Sequence, residues 1–114
     1  MNNLSRLKLE LNNKEYFTDE EYTQFLSEND LQHESDYDKS TNQINLLWTV
    51  VDVLESVAND IDLMRKIETE FATTSDAVKH INTRIEKIKE RIQEITIDED
   101  DEEYSSFSLF FTRS

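Results

Sequence analysis

Neither glycine nor proline occurs anywhere in the 114 residues of this chain. Every position therefore carries a Cβ and a backbone N–H, so nothing in the composition interrupts a helix by default. Long helices are expected, and any turn that requires a positive φ falls to Asn or Asp, the residues that tolerate it best after glycine. The same absence removes whole functional classes. Glycine-built phosphate loops and dinucleotide fingerprints cannot be formed.

Composition narrows the field further. Hydrophobic residues account for 36 % and charged residues for 33 %, which allows one thin core organised by long elements. The formal net charge is −14, the wrong sign for binding nucleic-acid phosphates or an anionic membrane surface. Without cysteine there is no disulfide framework and no thiolate metal site. The opening "MNNLSRLKLELNNK" lacks the apolar stretch of a signal peptide, and no segment reaches the length of a membrane span. A cytosolic chain, or one built into an assembly in the cytosol, is the expectation.

Along the chain, Leu4, Leu7 and Leu11 share one helical face, and Asn12 or Asn13 can end that short helix in a left-handed conformation. Thr18 with Glu21 forms a capping box for a second helix, whose apolar stripe is Tyr22, Phe25 and Leu26. A polar loop over residues 30–41 follows. From about Ser40, Ile44, Leu47, Val51, Leu54, Ala58 and Ile61 recur at spacings of three and four, widened by Trp48, Val50, Val53 and Val57. So broad a stripe predicts the central helix of a bundle. Ile67, Thr69 and Phe71 then alternate with Lys66, Glu68 and Glu70, the period of a half-exposed strand, with a continued helix as the competing reading. Thr74 or Ser75 caps a last helix in which Ile81, Ile85, Ile88, Ile92 and Ile95 make a heptad seam. That seam fits either internal packing against the central stripe or a coiled-coil contact between subunits.

Side chains with chemical potential are few. His33 lies beside Glu34 and Asp36 in the polar loop, yet no second histidine or cysteine completes a metal set, so it reads as a solvated residue. His80 flanks the isoleucine seam with no nucleophile placed to work with it. The six-acid run Asp98, Glu99, Asp100, Asp101, Glu102 and Glu103 lacks the glycine and distal glutamate of a calcium loop. A self-repelling, solvated linker is the simpler reading. Nothing calls for a catalytic residue, a metal or a cofactor.

Beyond the acids, "YSSFSLFFTRS" alternates Phe107, Leu109 and Phe111 with Ser106, Ser108 and Phe110. Aromatic enrichment at that period predicts a strand. It can remain a free tail, pair with the Ile67–Phe71 segment, or add a strand to another protein. The last gives Tyr104, Phe107, Leu109, Phe110 and Phe111 as partner-binding residues, with affinity from backbone hydrogen bonds and specificity from alternate side-chain pockets. The fold expected overall is mainly α: a compact bundle of about four helices over residues 1–96, with a short strand-like segment. Residues 97–114 would supply the acidic linker and an extended apolar arm.

Three stretches, "MNNLSRLKLELNNKEYFTDEEYTQFLSENDL", "LLWTVVDVLESVANDIDLMRKIETEFATT" and "AVKHINTRIEKIKERI", resemble the small head–tail connector proteins, also called adaptor or head-completion proteins, of tailed phages of Gram-positive hosts. The resemblance follows element order over residues 1–95, without a diagnostic motif. It implies a helical bundle in a twelve-fold homo-oligomeric ring beneath the portal protein, among the other neck and tail proteins of the virion, with a C-terminal arm reaching the portal. It implies no catalytic residues. DNA would pass through such a ring unbound, and an acidic wall would keep the duplex moving. The long acid run departs from the family pattern. Two rivals use the same residues: an acidic regulatory module that mimics DNA on a basic protein, and a metal-dependent hydrolase.

Overall fold

The computed structural model describes residues 1–68 and 74–102, and these form five α-helices: α1 Asn3–Glu10, α2 Asp19–Glu28, α3 Lys39–Ala58, α4 Ile61–Glu68 and α5 Thr74–Glu102. The mainly helical bundle is as expected. Among the described residues the only β pairing is an isolated bridge between Asn2 and Asp36.

The glycine-free turns fall where the side chains allow them. Asn12, Asn13 and Asp30 have φ of 58°, 58° and 61°, the left-handed region. At the end of α1 the Asn13 N–H donates to the Lys8 carbonyl (2.8 Å) and the Asn12 N–H to the Leu9 carbonyl (3.0 Å). At the end of α2 the Leu31 N–H donates to Leu26 (2.9 Å) and the Asp30 N–H to Ser27 (3.1 Å). Both are Schellman closures, with Asn or Asp standing where glycine is usual. Leu26 and Leu31 are both buried beneath the second closure.

Helix starts are equally local. The Thr18 hydroxyl accepts from the Glu21 N–H (3.2 Å) while Glu21 accepts from the Thr18 N–H (3.0 Å), the reciprocal capping box read from the sequence. The Asp38 carboxylate accepts from the Ser40 N–H (2.9 Å) and hydroxyl (2.7 Å) and caps α3. The Asp60 carboxylate accepts from Asp62 and Leu63 N–H groups (3.0 and 3.1 Å), which opens α4.

That last cap corrects the sequence reading twice. The apolar stripe predicted one helix running to Ile61, but α3 ends at Ala58 and the chain restarts at Ile61. The strand-like alternation is also overridden at its start, because Lys66, Ile67 and Glu68 are helical. Leu63, Met64 and Ile67, at helical spacing, supply the face that packs on the core, and a three-residue alternation cannot compete with it. Thr69, Glu70 and Phe71 lie outside the described residues.

α3 is the axis of the bundle. Leu46, Leu47, Val50, Val51, Val53, Leu54 and Val57 are all at most 2 % exposed, which leaves α3 little surface of its own. Thr49, fully buried among them, donates its hydroxyl to the Asn45 carbonyl (2.8 Å) and so brings no unpaired donor into the core. α1, α2, α4 and α5 all pack on α3. Ile81, Ile85 and Ile92 of α5 are buried in the shared core, with Ile88 and Ile95 half-buried against it. The isoleucine seam is therefore used inside the subunit.

Tyr22 closes the α1–α2 corner. Its ring is buried, its hydroxyl accepts from the Tyr16 and Phe17 N–H groups (3.0 and 3.3 Å), and it donates to the Lys14 carbonyl (3.0 Å). Phe17 stands edge-on to the Tyr22 ring and also packs against Phe25.

Two outcomes test this account. Replacing Asp30 with glycine relieves the left-handed position and is expected to stabilise the fold by a few tenths of a kcal/mol, whereas alanine there costs about 1 kcal/mol; urea midpoints distinguish the two. The hydrogen bonds from Ser40 hold the Asp38 carboxyl below its ordinary value of 3.8. A depressed folded value means that stability is present above the unfolded value and lost as pH falls through the folded one. Asp38→Asn, which keeps an Ncap acceptor, is expected to flatten that acid limb in urea titrations followed from neutral pH downward.

Candidate interaction surface

The residues singled out at the C-terminal end are only partly placed. Asp98, Glu99, Asp100, Asp101 and Glu102 belong to α5, whose helix continues six residues past Thr96 instead of releasing an extended linker there. This is a correction: the like charges of the acid run do not by themselves end the helix. The domain boundary drawn at residues 96 and 97 thus falls inside a helix. Glu103, Tyr104, Phe107, Leu109, Phe110 and Phe111 lie outside the described residues.

Helical continuation changes the electrostatics of α5. Lys79, Arg84, Lys87, Lys89 and Arg91 stand in its middle, whereas residues 92–102 hold Glu94 and the acids from Asp98 onward, with no basic residue. The acids occupy the end where the helix dipole disfavours anions, and no basic side chain lies in the last turn. The isoleucine stripe stops at Ile95, and Ile97 is 49 % exposed. The final turns thus carry charge without an apolar face of their own.

A second feature was not singled out in the sequence. α1 and α5 make no close backbone approach, and arginines bridge the seam between them. Arg84 of α5 donates a hydrogen bond to the carbonyl of Glu10, one of the orphan acceptors at the end of α1. Arg6 and Arg91 both approach the same Glu10 carboxylate oxygen, at 3.8 and 3.9 Å. The Arg6 guanidinium also lies 5.4 Å from the centre of the Tyr37 ring, a cation–π distance. Burial pushes the Tyr37 hydroxyl pKa up, the opposing pull of Arg6 being smaller. Three guanidinium groups thus gather around one residue, two on the Glu10 carboxylate and one on its backbone carbonyl. Arg84, Lys87 and Arg91 are spaced by three and four, so a basic stripe was legible on the last helix. What the spacing could not give was α1 lying opposite it.

An open groove of about 470 Å³ lies at the α1–α2 corner, lined by Lys8, Tyr16, Phe17, Asp19 and Tyr22 among others. Lys8 spans part of it to reach Asp19 at 2.7 Å. Burial raises the Tyr22 hydroxyl pKa, while the N–H groups of Phe17 and Tyr16 pull it back. That hydroxyl already makes three backbone hydrogen bonds, so it serves as a structural lock and not as a general acid. His33 is half-buried in the loop, with Nε2 3.2 Å from Glu34 and its carbonyl accepting from the Leu4 N–H. His80 is exposed on α5. Among the described residues no three His, Asp or Glu side chains converge as a metal site would, and no helix is long and apolar enough to cross a membrane.

No protein-family profile, curated protein or solved structure matches the chain.

The arginine seam gives a direct test. Arg84→Ala removes a charge-assisted hydrogen bond to an otherwise orphan carbonyl and is expected to cost about 1.5–3 kcal/mol in chemical denaturation. Lys87→Ala, one turn away and exposed, should stay within about 0.5 kcal/mol of the parent.

Proposed function

We propose that this chain is a structural adaptor of a phage virion, a head–tail connector that assembles as a ring beneath the portal and docks through its C-terminal arm. The observation that carries the reading is the pairing, in one short segment, of a six-acid run with the serine-spaced Phe107, Leu109, Phe110 and Phe111. Charge keeps the free subunit soluble, and the apolar alternation suits the open edge of a sheet in a neighbouring protein. Support also comes from the resemblance in element order, from the mainly helical bundle, and from an acidity that disfavours DNA sticking to a channel wall. The portal and adjacent neck proteins are the proposed partners, and the chain has no catalytic role in this reading.

One observation favours a second reading. A protein that mimics DNA needs carboxylates on a rigid element, and the helical backbone of Asp98–Glu102 provides one. Such a module would occupy the phosphate-binding surface of a basic protein, and its affinity would fall steeply with salt.

Deleting residues 104–114 is expected to leave the bundle folded, with an unchanged thermal midpoint, and to abolish incorporation into heads in a complementation assay. Normal incorporation of the truncated chain would refute arm docking. Capture of a nucleic-acid enzyme instead of portal protein, lost when the acids at 98–103 are made neutral amides, would support the mimic.

A further inference from the structure

We propose that the acidic C-terminal end of α5 in one copy of this chain docks on the arginine seam between α1 and α5 of a second copy. The seam shows what it accepts. Arg6, Arg84 and Arg91 converge on Glu10, two of them on the same carboxylate oxygen at 3.8 and 3.9 Å, too far for hydrogen bonds of full strength. Each guanidinium has five N–H donors, so two of them on one carboxylate oxygen and a third on the Glu10 carbonyl leave most of their donor capacity for further anions. Exposed Lys87 extends the stripe between Arg84 and Arg91.

The acids that would fill it are at hand but cannot fold back. α5 is one continuous helix from Thr74 to Glu102. At a rise of about 1.5 Å per residue, position 98 stands roughly 10 Å from position 91 and roughly 20 Å from position 84. A straight helix therefore holds its own basic stripe and its own acidic end apart. Both follow one register, because positions 84, 87 and 91 are continued by 94, 98 and 101 at spacings of three and four. The two segments are also similar in length, so one helix end can cover the other's stripe.

Energetics point the same way. Acids Asp98–Glu102 repel one another at the unfavourable end of the helix dipole, and cations from outside the helix relieve both penalties. Two copies at −14 each repel at long range. At about 0.15 M ionic strength that repulsion is screened beyond roughly 8 Å, whereas charge pairs in contact persist; near 1 M the screening length is about 3 Å and the contact weakens too. This contact deepens the ring reading and rests on it only for closure: a reciprocal pair and a head-to-tail ring both place acids on arginines.

The test uses the full chain and two variants, Lys87→Glu with Arg91→Glu, and Asp98→Lys with Asp101→Lys and Glu102→Lys, with folding checked by circular dichroism. Sedimentation is expected to show association of the parent at about 0.15 M salt and its loss near 1 M. Each variant alone should self-associate on the order of 100-fold more weakly, and an equimolar mixture should recover association. Carbodiimide cross-linking of mixed isotope-labelled and unlabelled parent should join Lys87 of one copy to residues 98–102 of another; this arm needs no variant to fold. A monomeric parent at 0.15 M, association that survives both charge reversals, or cross-links confined to single copies would overturn the contact. A closed dimer carrying the intermolecular cross-links would uphold the contact and overturn the ring.

Discussion

Burial of α3 on nearly every side is the constraint on which the rest of the structure depends. Its valines are poor helix formers, each costing about 0.5 kcal/mol relative to alanine. Full burial of a valine or leucine side chain returns about 1.5–3 kcal/mol, so packing outweighs propensity by several-fold at Val50, Val51, Val53 and Val57. The consequence is mutual dependence. α1, α2 and α4 are short, and helices of 8 to 10 residues are marginal alone in water. They persist because α3 offers each of them an apolar face. Surface for function is then left to the outer faces of the helices around α3.

Those outer faces are electrostatically uneven. A chain with a −14 balance gathers Arg6, Arg84 and Arg91 around Glu10, while the last turns of α5 hold acids without a neighbouring cation on their own helix. Within the subunit the arginines have a structural task, joining α1 to a helix whose backbone it does not closely approach. The same geometry leaves charge of both signs on one helix, in separate segments. An adaptor reading and a DNA-mimic reading both draw on the acidic segment. They differ in what the Phe and Leu beyond it are for, since a mimic has no need of an apolar arm.

Much of the bundle was legible because its signals are local. The Thr18–Glu21 box, the left-handed end of α1 at Asn12 and Asn13, the broad stripe of α3 and the isoleucine seam each depend on side chains within a turn or two of one another. The misreadings arose where two local patterns compete. Alternation at Ile67 suggested a strand, but Leu63, Met64 and Ile67 bury a helical face, and Asp60 supplies the cap that separates α4 from α3. The acid run suggested a linker, but charge repulsion does not stop a helix as proline or glycine does, and α5 carries on to Glu102.

By itself, the sequence determined the mainly helical class, the Asn/Asp turns, the burial of α3 and the choice of its apolar faces, because periodicity and capping act over a few residues. Only the tertiary structure decided that the isoleucine seam is occupied within the subunit, and that Glu10 meets Arg84 and Arg91 across more than 70 positions of chain. The reason is physical. A stripe of basic residues has the same spacing whether it faces solvent or a neighbouring helix, and what stands opposite is set by how α1 and α5 pack around α3.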